Sequence, residues 1–125
     1  MKIIDANIIL RYMLNDIKEQ ADEAEKIIEN EEVILKIEVL AEIVYVLKKV
    51  YNINKKEVCE RLLEIYEIGK VNTENRELIK GILHNYDKFN LDFIDIVLYT
   101  YNEVEGYEIA TFDQKLKKLI NGNTK

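Results

Sequence analysis

A chain of 125 residues, 48% hydrophobic and 34% charged, is long enough to bury a core and too apolar to remain disordered. Its 18 basic and 24 acidic residues leave a net charge of −6, which excludes a simple electrostatic nucleic-acid binder but not an enzyme whose acids bind cations. With no proline, one cysteine and no Gly/Ser-rich stretch, residues 1–125 read as a single domain without a linker or internal disulfide, ending in a frayed tail over 119–125.

The first element is "KIID", a short apolar run that ends in an acid and suits a buried strand. Asp5 and Arg11 interrupt the apolar run a secretory signal needs, and no uncharged stretch reaches membrane-spanning length, so the cytoplasm is the expected location. "ANIILRYML" predicts a helix packed on a sheet, and "DIKEQADEAEKIIEN" a second helix with Ile17, Ala21, Ala24 and Ile28 at helical spacing. "EVILKI" is the next strand. "EVLAEIVYVLKKVY" is an amphipathic helix through Leu40, Ile43, Leu47 and Val50, with basic residues near its C-terminal end.

Asn54 and Glu57 stand in capping-box spacing at the start of "NINKKEVCERLLEIYEIG", and Gly69 marks its end. Cys59, between apolar helical positions, reads as a buried thiol. "KVNT" is a candidate short strand, and "ENRELIKGILHNYDKF" a helix with Leu78, Ile82 and Tyr86 on one stripe. His84, the only histidine, has no partner histidine or cysteine with which to build a zinc site. "DFIDIVLYTYNEVEG" predicts one helix closed by Gly106. "YEIATF" then predicts a strand, and "DQKLKKLI" a helix that Asp113 can cap. Alternating strands and helices predict an α/β fold, a three-layer α/β/α sandwich around a mainly parallel central sheet.

In such a fold the ligand site lies beyond the carboxyl ends of the strands. Asp5 ends the first predicted strand and Asp113 the last. Asp92 and Asp95, three apart, share the first turn of one helix. Glu42 sits between Ala41 and Ile43 in an otherwise apolar helix, where an acid has no cap to make. Acids brought together raise one another's pKa unless a cation joins them. The matching chemistry is oxygen-only coordination of Mg²⁺ or Mn²⁺, ions that can activate water against a phosphodiester.

Four blocks, "IIDANIILRYML", "VLAEIVYVLKK", "LDFIDIVLYTY" and "EIATFDQKLKK", together resemble the acidic blocks of PIN-domain ribonucleases. The likeness is greatest to the VapC-type toxins of toxin–antitoxin pairs, and the blocks run in the family's order from Lys2 to Lys118. The resemblance implies a metal-dependent endoribonuclease in which Asp5, Glu42, Asp95 and Asp113 are catalytic and hold Mg²⁺ or Mn²⁺. It assigns supporting places to Asn7, to Asp92, and to Thr111 in a T-x-D arrangement. One departure is that bulky Ile96, Val97, Tyr99 and Tyr101 follow Asp95, where the family commonly has small residues. Arg11 and Lys115 are the candidates for gripping RNA.

The implied partners are an RNA substrate, a small antitoxin protein and a second copy of the chain, with no membrane. The apolar helices through Met13 and Val50 offer surface for a partner helix. Two alternatives share the fold: a non-catalytic PIN scaffold that binds RNA or protein, and an RNA-processing nuclease outside any toxin pair. A phospho-acceptor receiver domain is set aside, because it wants two acids after the first strand and a lysine where Asp113 stands.

Overall fold

A computed structural model describes residues 1–67 and 71–123. The chain forms two compact units, Met1–Arg76 and Glu77–Lys125.

The first unit is built on a parallel sheet of three strands in the order β1-β2-β3, namely β1 (Lys2–Ile3), β2 (Val33–Ile34) and β3 (Val71–Asn72). Lys2 pairs with Val33 and Val33 with Val71, which fixes the register across the sheet. Parallel neighbours require crossovers, and here each crossover carries two helices. Helices α1 (Ala6–Leu14) and α2 (Lys18–Asn30) join β1 to β2; α3 (Ile37–Lys49) and α4 (Lys55–Glu67) join β2 to β3.

Two further backbone bonds lengthen this short ladder, Ile4 N donating to Ile34 O at 3.2 Å and Leu35 N to Asn72 O at 3.0 Å. The Asn72 side chain adds a third, its Nδ2 donating to Val33 O at 3.0 Å. Ile4, Val33, Leu35 and Val71 are buried, whereas Lys2 and Ile3 of β1 are exposed.

The helical periods expected from the sequence place most of the core, although Ile17 and Val50, counted on the same stripes, are 45% and 67% exposed. Ala21, Ala24 and Ile28 of α2 and Leu40, Ile43, Val44 and Leu47 of α3 are buried. Asn54 Oδ1 accepts from Glu57 N at 2.9 Å, capping α4. Cys59 is a buried thiol in no disulfide. The expected helix stop at Gly69 lies outside the described residues. Asn15, at φ 51°, closes α1 in the left-handed region that asparagine tolerates better than most residues.

The second unit begins one residue into α5 (Arg76–Lys88) and continues with α6 (Phe93–Thr100) and α7 (Gln114–Asn123). Tyr86 of α5 meets Phe93 of α6 edge-on, with ring centroids 5.2 Å apart. Buried Asn85 donates to Thr100 Oγ1 and to Glu103 Oε1, each at 3.0 Å, and the Thr100 hydroxyl donates to Ile96 O at 2.7 Å. Gly81 sits at the closest approach of the two helices, where a Cβ would lie 3.0 Å from Thr100 Cγ2.

Three expectations are corrected. The helix predicted across 92–106 is α6 followed by a π-helical turn, Tyr101–Glu105, which Gly106 ends at φ 77°. "YEIATF" forms no strand: residues 107–112 carry no ladder, with Tyr107 60% and Phe112 96% exposed. A strand is specified by a buried face, and only Ile109 and Thr111 of this run are half-buried, too few to pin a register. The tail expected from 119 instead continues α7 to Asn123, with Leu119 and Ile120 half-buried.

Candidate active site

Asp5 and Glu42 belong to the first unit. Asp5 follows buried Ile4, just beyond β1, and caps α1, its Oδ1 accepting from Ile8 N at 3.2 Å. In a parallel sheet this is the carboxyl edge, where α3 also begins after β2. Glu42 lies in the second turn of α3 and is exposed, its neighbours Ile43 and Val44 turning inward. Periodicity thus corrects the picture of Glu42 as an acid enclosed by apolar residues. It shares the exposed stripe of α3 with Glu38, Tyr45 and Lys49. Asn7 is exposed in the first turn of α1.

The same edge holds an acid outside the four blocks. Glu74, just after β3, accepts from Ile37 N at 3.3 Å and pairs with Lys36 Nζ at 3.0 Å, so it caps α3 from a neighbouring loop. Burial pushes the Tyr66 hydroxyl pKa well above its ordinary value, and the charge of Glu74 pushes it further. The signal was available: "VNTE" places an acid after a strand much as "KIID" does.

Arg11 is not placed to grip RNA. Its side chain is 10% exposed and pairs through Nη1 with Asp16 Oδ1 at 2.6 Å. Nη2 donates to the Tyr51 hydroxyl at 3.0 Å. The Tyr51 bond chiefly, with the charge of Asp16, holds the guanidinium pKa above its ordinary value against the opposing effect of burial. An arginine one turn inside an amphipathic helix faced inward here, tying α1 to the segment after α3.

Asp92, Asp95, Thr111 and Asp113 belong to the second unit. Asp92 occupies the N-cap position of α6, but its side chain makes no capping bond. Asp113 caps α7, its Oδ2 accepting from Leu116 N at 2.8 Å. The Thr111 hydroxyl accepts from Asp113 N at 3.0 Å and so fixes the backbone that presents this acid. The T-x-D spacing thus has a local structural cause, an ST-turn feeding a helix cap.

Asp95 is half-buried in the first turn of α6. Partial burial raises its pKa above the ordinary aspartate value, and the charges of Asp113 and Asp92 raise it further. Within this unit the charges of Asp113 and Asp92 are therefore felt at Asp95. In neither unit do three or more acid, histidine or cysteine side chains among the described residues converge closely enough to hold a metal by themselves. The donors are hard oxygens throughout, which suits Mg²⁺ or Mn²⁺ and not a thiolate-loving ion.

The bulky residues after Asp95 turn inward. Ile96, Val97 and Tyr99 are buried and Tyr101 is half-buried against Tyr107, so they build the core of this unit. His84 is exposed, and Lys115 is exposed two residues after Asp113.

Among the described residues no helix is long and apolar enough to cross a membrane. Comparison with curated proteins and with solved structures gives no match. The PIN domain family model matches residues 2–121, across both units and all of the acids above. The chain therefore belongs to the PIN domain family, an α/β/α fold whose members are generally nucleases that act on RNA.

Proposed function

We propose that the protein is an endoribonuclease dependent on Mg²⁺ or Mn²⁺ and acts as the toxin of a VapBC-type pair. The observation that carries this reading is the raised pKa of Asp95, which owes first to its partial burial and then to the charges of Asp113 and Asp92. None of these carboxylates has an ion pair among the described residues. Acids held close with no protein cation destabilise one another, and a divalent metal is the usual remedy. Asp5, Glu42, Asp95 and Asp113 are assigned to hold the ion, which when bound supplies Lewis-acid activation of water against the RNA phosphodiester.

The chain's own residues orient these acids. The cap from Asp5 to Ile8 N fixes one carboxylate oxygen, and Leu116 N does the same for Asp113. Thr111 holds the Asp113 backbone, while the charge of Asp92 adds to the raised pKa of Asp95. Asn7 is the further supporting residue. Exposed Tyr45 and Val50 on and just after α3 support a protein partner there, which we assign to a small antitoxin, with a second copy as the homodimer mate. Cytoplasmic action on RNA completes the reading.

The test is cleavage of a labelled structured RNA pool with Mg²⁺, Mn²⁺ or EDTA, comparing wild type with Asp5→Asn. Metal-dependent cutting that disappears in the variant is expected. A well-folded wild type that cuts under no condition overturns the nuclease reading in favour of the non-catalytic scaffold.

A further inference from the structure

The second unit contains a hollow that the acids do not explain. It measures about 320 Å³, near the lower end of the roughly 300–1,000 Å³ usual for small-ligand sites. It is lined by Phe89, Asn90 and Leu91, in the turn between α5 and α6, and by Lys115, Lys118 and Leu119 of α7. The turn is compact, with Leu91 N donating to Phe89 O at 3.1 Å. The Phe89 ring is braced edge-on by Tyr99 at 5.6 Å between centroids, with Lys88 Nζ 5.1 Å from its centre.

Two features of this hollow bear on what it can hold. Its floor is apolar and aromatic, from Phe89, Leu91 and Leu119. Its rim carries Lys115 and Lys118, three apart on one face of α7 and outside every ion pair among the described residues. In a chain of net charge −6, unneutralised lysines beside an apolar floor describe a ligand with a flat apolar part and an anion next to it. A nucleotide has that chemistry: its base lies on apolar side chains and its phosphate takes the cations. An apolar peptide would use the floor and leave the lysines idle.

We propose that this hollow seats one unpaired nucleotide of the RNA substrate, with its base against Phe89, Leu91 and Leu119 and the flanking phosphates on Lys115 and Lys118. The inference rests on the nuclease reading above and makes the substrate single-stranded at this point. A base stacked and paired inside a duplex cannot enter. Asp113, which caps the same helix two residues before Lys115, joins the seat to the acidic residues through one short rigid element.

The experiment measures binding apart from cutting. Fluorescence anisotropy in EDTA follows a labelled single-stranded RNA of mixed sequence, and the same sequence as a duplex, over a range of salt. Lys115→Ala/Lys118→Ala is expected to lower single-strand affinity and to flatten the slope of log affinity against log salt by about 1.4, the value for two lost phosphate contacts. Leu91→Trp fills the hollow and is expected to weaken single-strand binding about tenfold, the scale of one lost base contact, with the slope unchanged. Duplex binding is insensitive to Leu91→Trp. Circular dichroism and thermal melts confirm that both variants fold.

Wild type that binds no single-stranded RNA, or variants that bind it as wild type does, overturn the inference. A change confined to the binding of a second protein chain also overturns it, in favour of a peptide groove. Binding with these dependences but no cutting in Mg²⁺ or Mn²⁺ upholds the seat and refutes the nuclease; cutting that neither variant alters does the reverse.

Discussion

The buried Arg11 offers a quantitative check on whether its role is structural. Asp16→Ala removes the carboxylate 2.6 Å from Nη1 and leaves a guanidinium that is only 10% exposed, held by Tyr51 alone. Removing one partner of a fully buried pair costs about 3–5 kcal/mol, whereas an exposed pair is worth about 0.2–1 kcal/mol. The Asp16 side chain is 40% exposed, so water screens one end of this pair. The expected loss therefore lies between those limits, at about 2 kcal/mol. For a chain of this size that lowers Tm by roughly 6–10 °C. Urea melts with an unchanged m-value are the assay.

Arg11→Met in the Asp16→Ala background removes the stranded cation and keeps an apolar stem, so the double variant should recover part of the loss. A Tm shift below about 2 °C for Asp16→Ala would refute the structural reading, since that is the scale of an exposed pair. So would an Arg11→Met variant of full stability that has lost RNA affinity.

Asp95→Asn should abolish cleavage yet raise metal-free stability at neutral pH, because the folded state holds this aspartate above its ordinary pKa. A raised acid favours folding below its unfolded pKa, and that advantage is lost as pH rises through the folded value; the Tm gain of Asp95→Asn over wild type should therefore vanish on acidification. Asp113→Asn keeps a side-chain oxygen for Leu116 N, so stability should hold within about 0.5 kcal/mol while cutting is lost. Gly81→Val should cost about 1–3 kcal/mol in thermal melts, because Thr100 is fixed by its bonds to Asn85 and Ile96 and cannot yield.

Most helices were legible because their apolar residues recur at helical spacing and their caps obey local chemistry, as Asn54 shows. The strand expected at 107–112 was not, because a run of apolar residues does not say whether anything covers it, and Phe112 is almost fully exposed. Asp5, Asp92, Asp95 and Asp113 were legible as acids at helix starts and Glu42 as one within a helix, and Asp113 is a cap as well as a site candidate. Arg11 was misjudged because composition favours an exposed arginine, while only tertiary contact shows Asp16 and Tyr51 closing around it. Leu91 and Lys118 stand at the ends of two of the acidic blocks and Phe89 outside them, and nothing in those spacings groups the three; their grouping is a product of packing.

The two-residue strands carry a consequence for how the first unit opens. Amides such as Lys2 N, bonded to Glu32 O at 2.8 Å, and Ile4 N are held by a ladder too short to resist exchange unaided. Their protection against deuterium must come from the helices that cross over the sheet, chiefly α1 against α2 and α3. The exchange rates of these strand amides therefore serve as a gauge of helix packing, read at the base of the chain segment that presents Asp5.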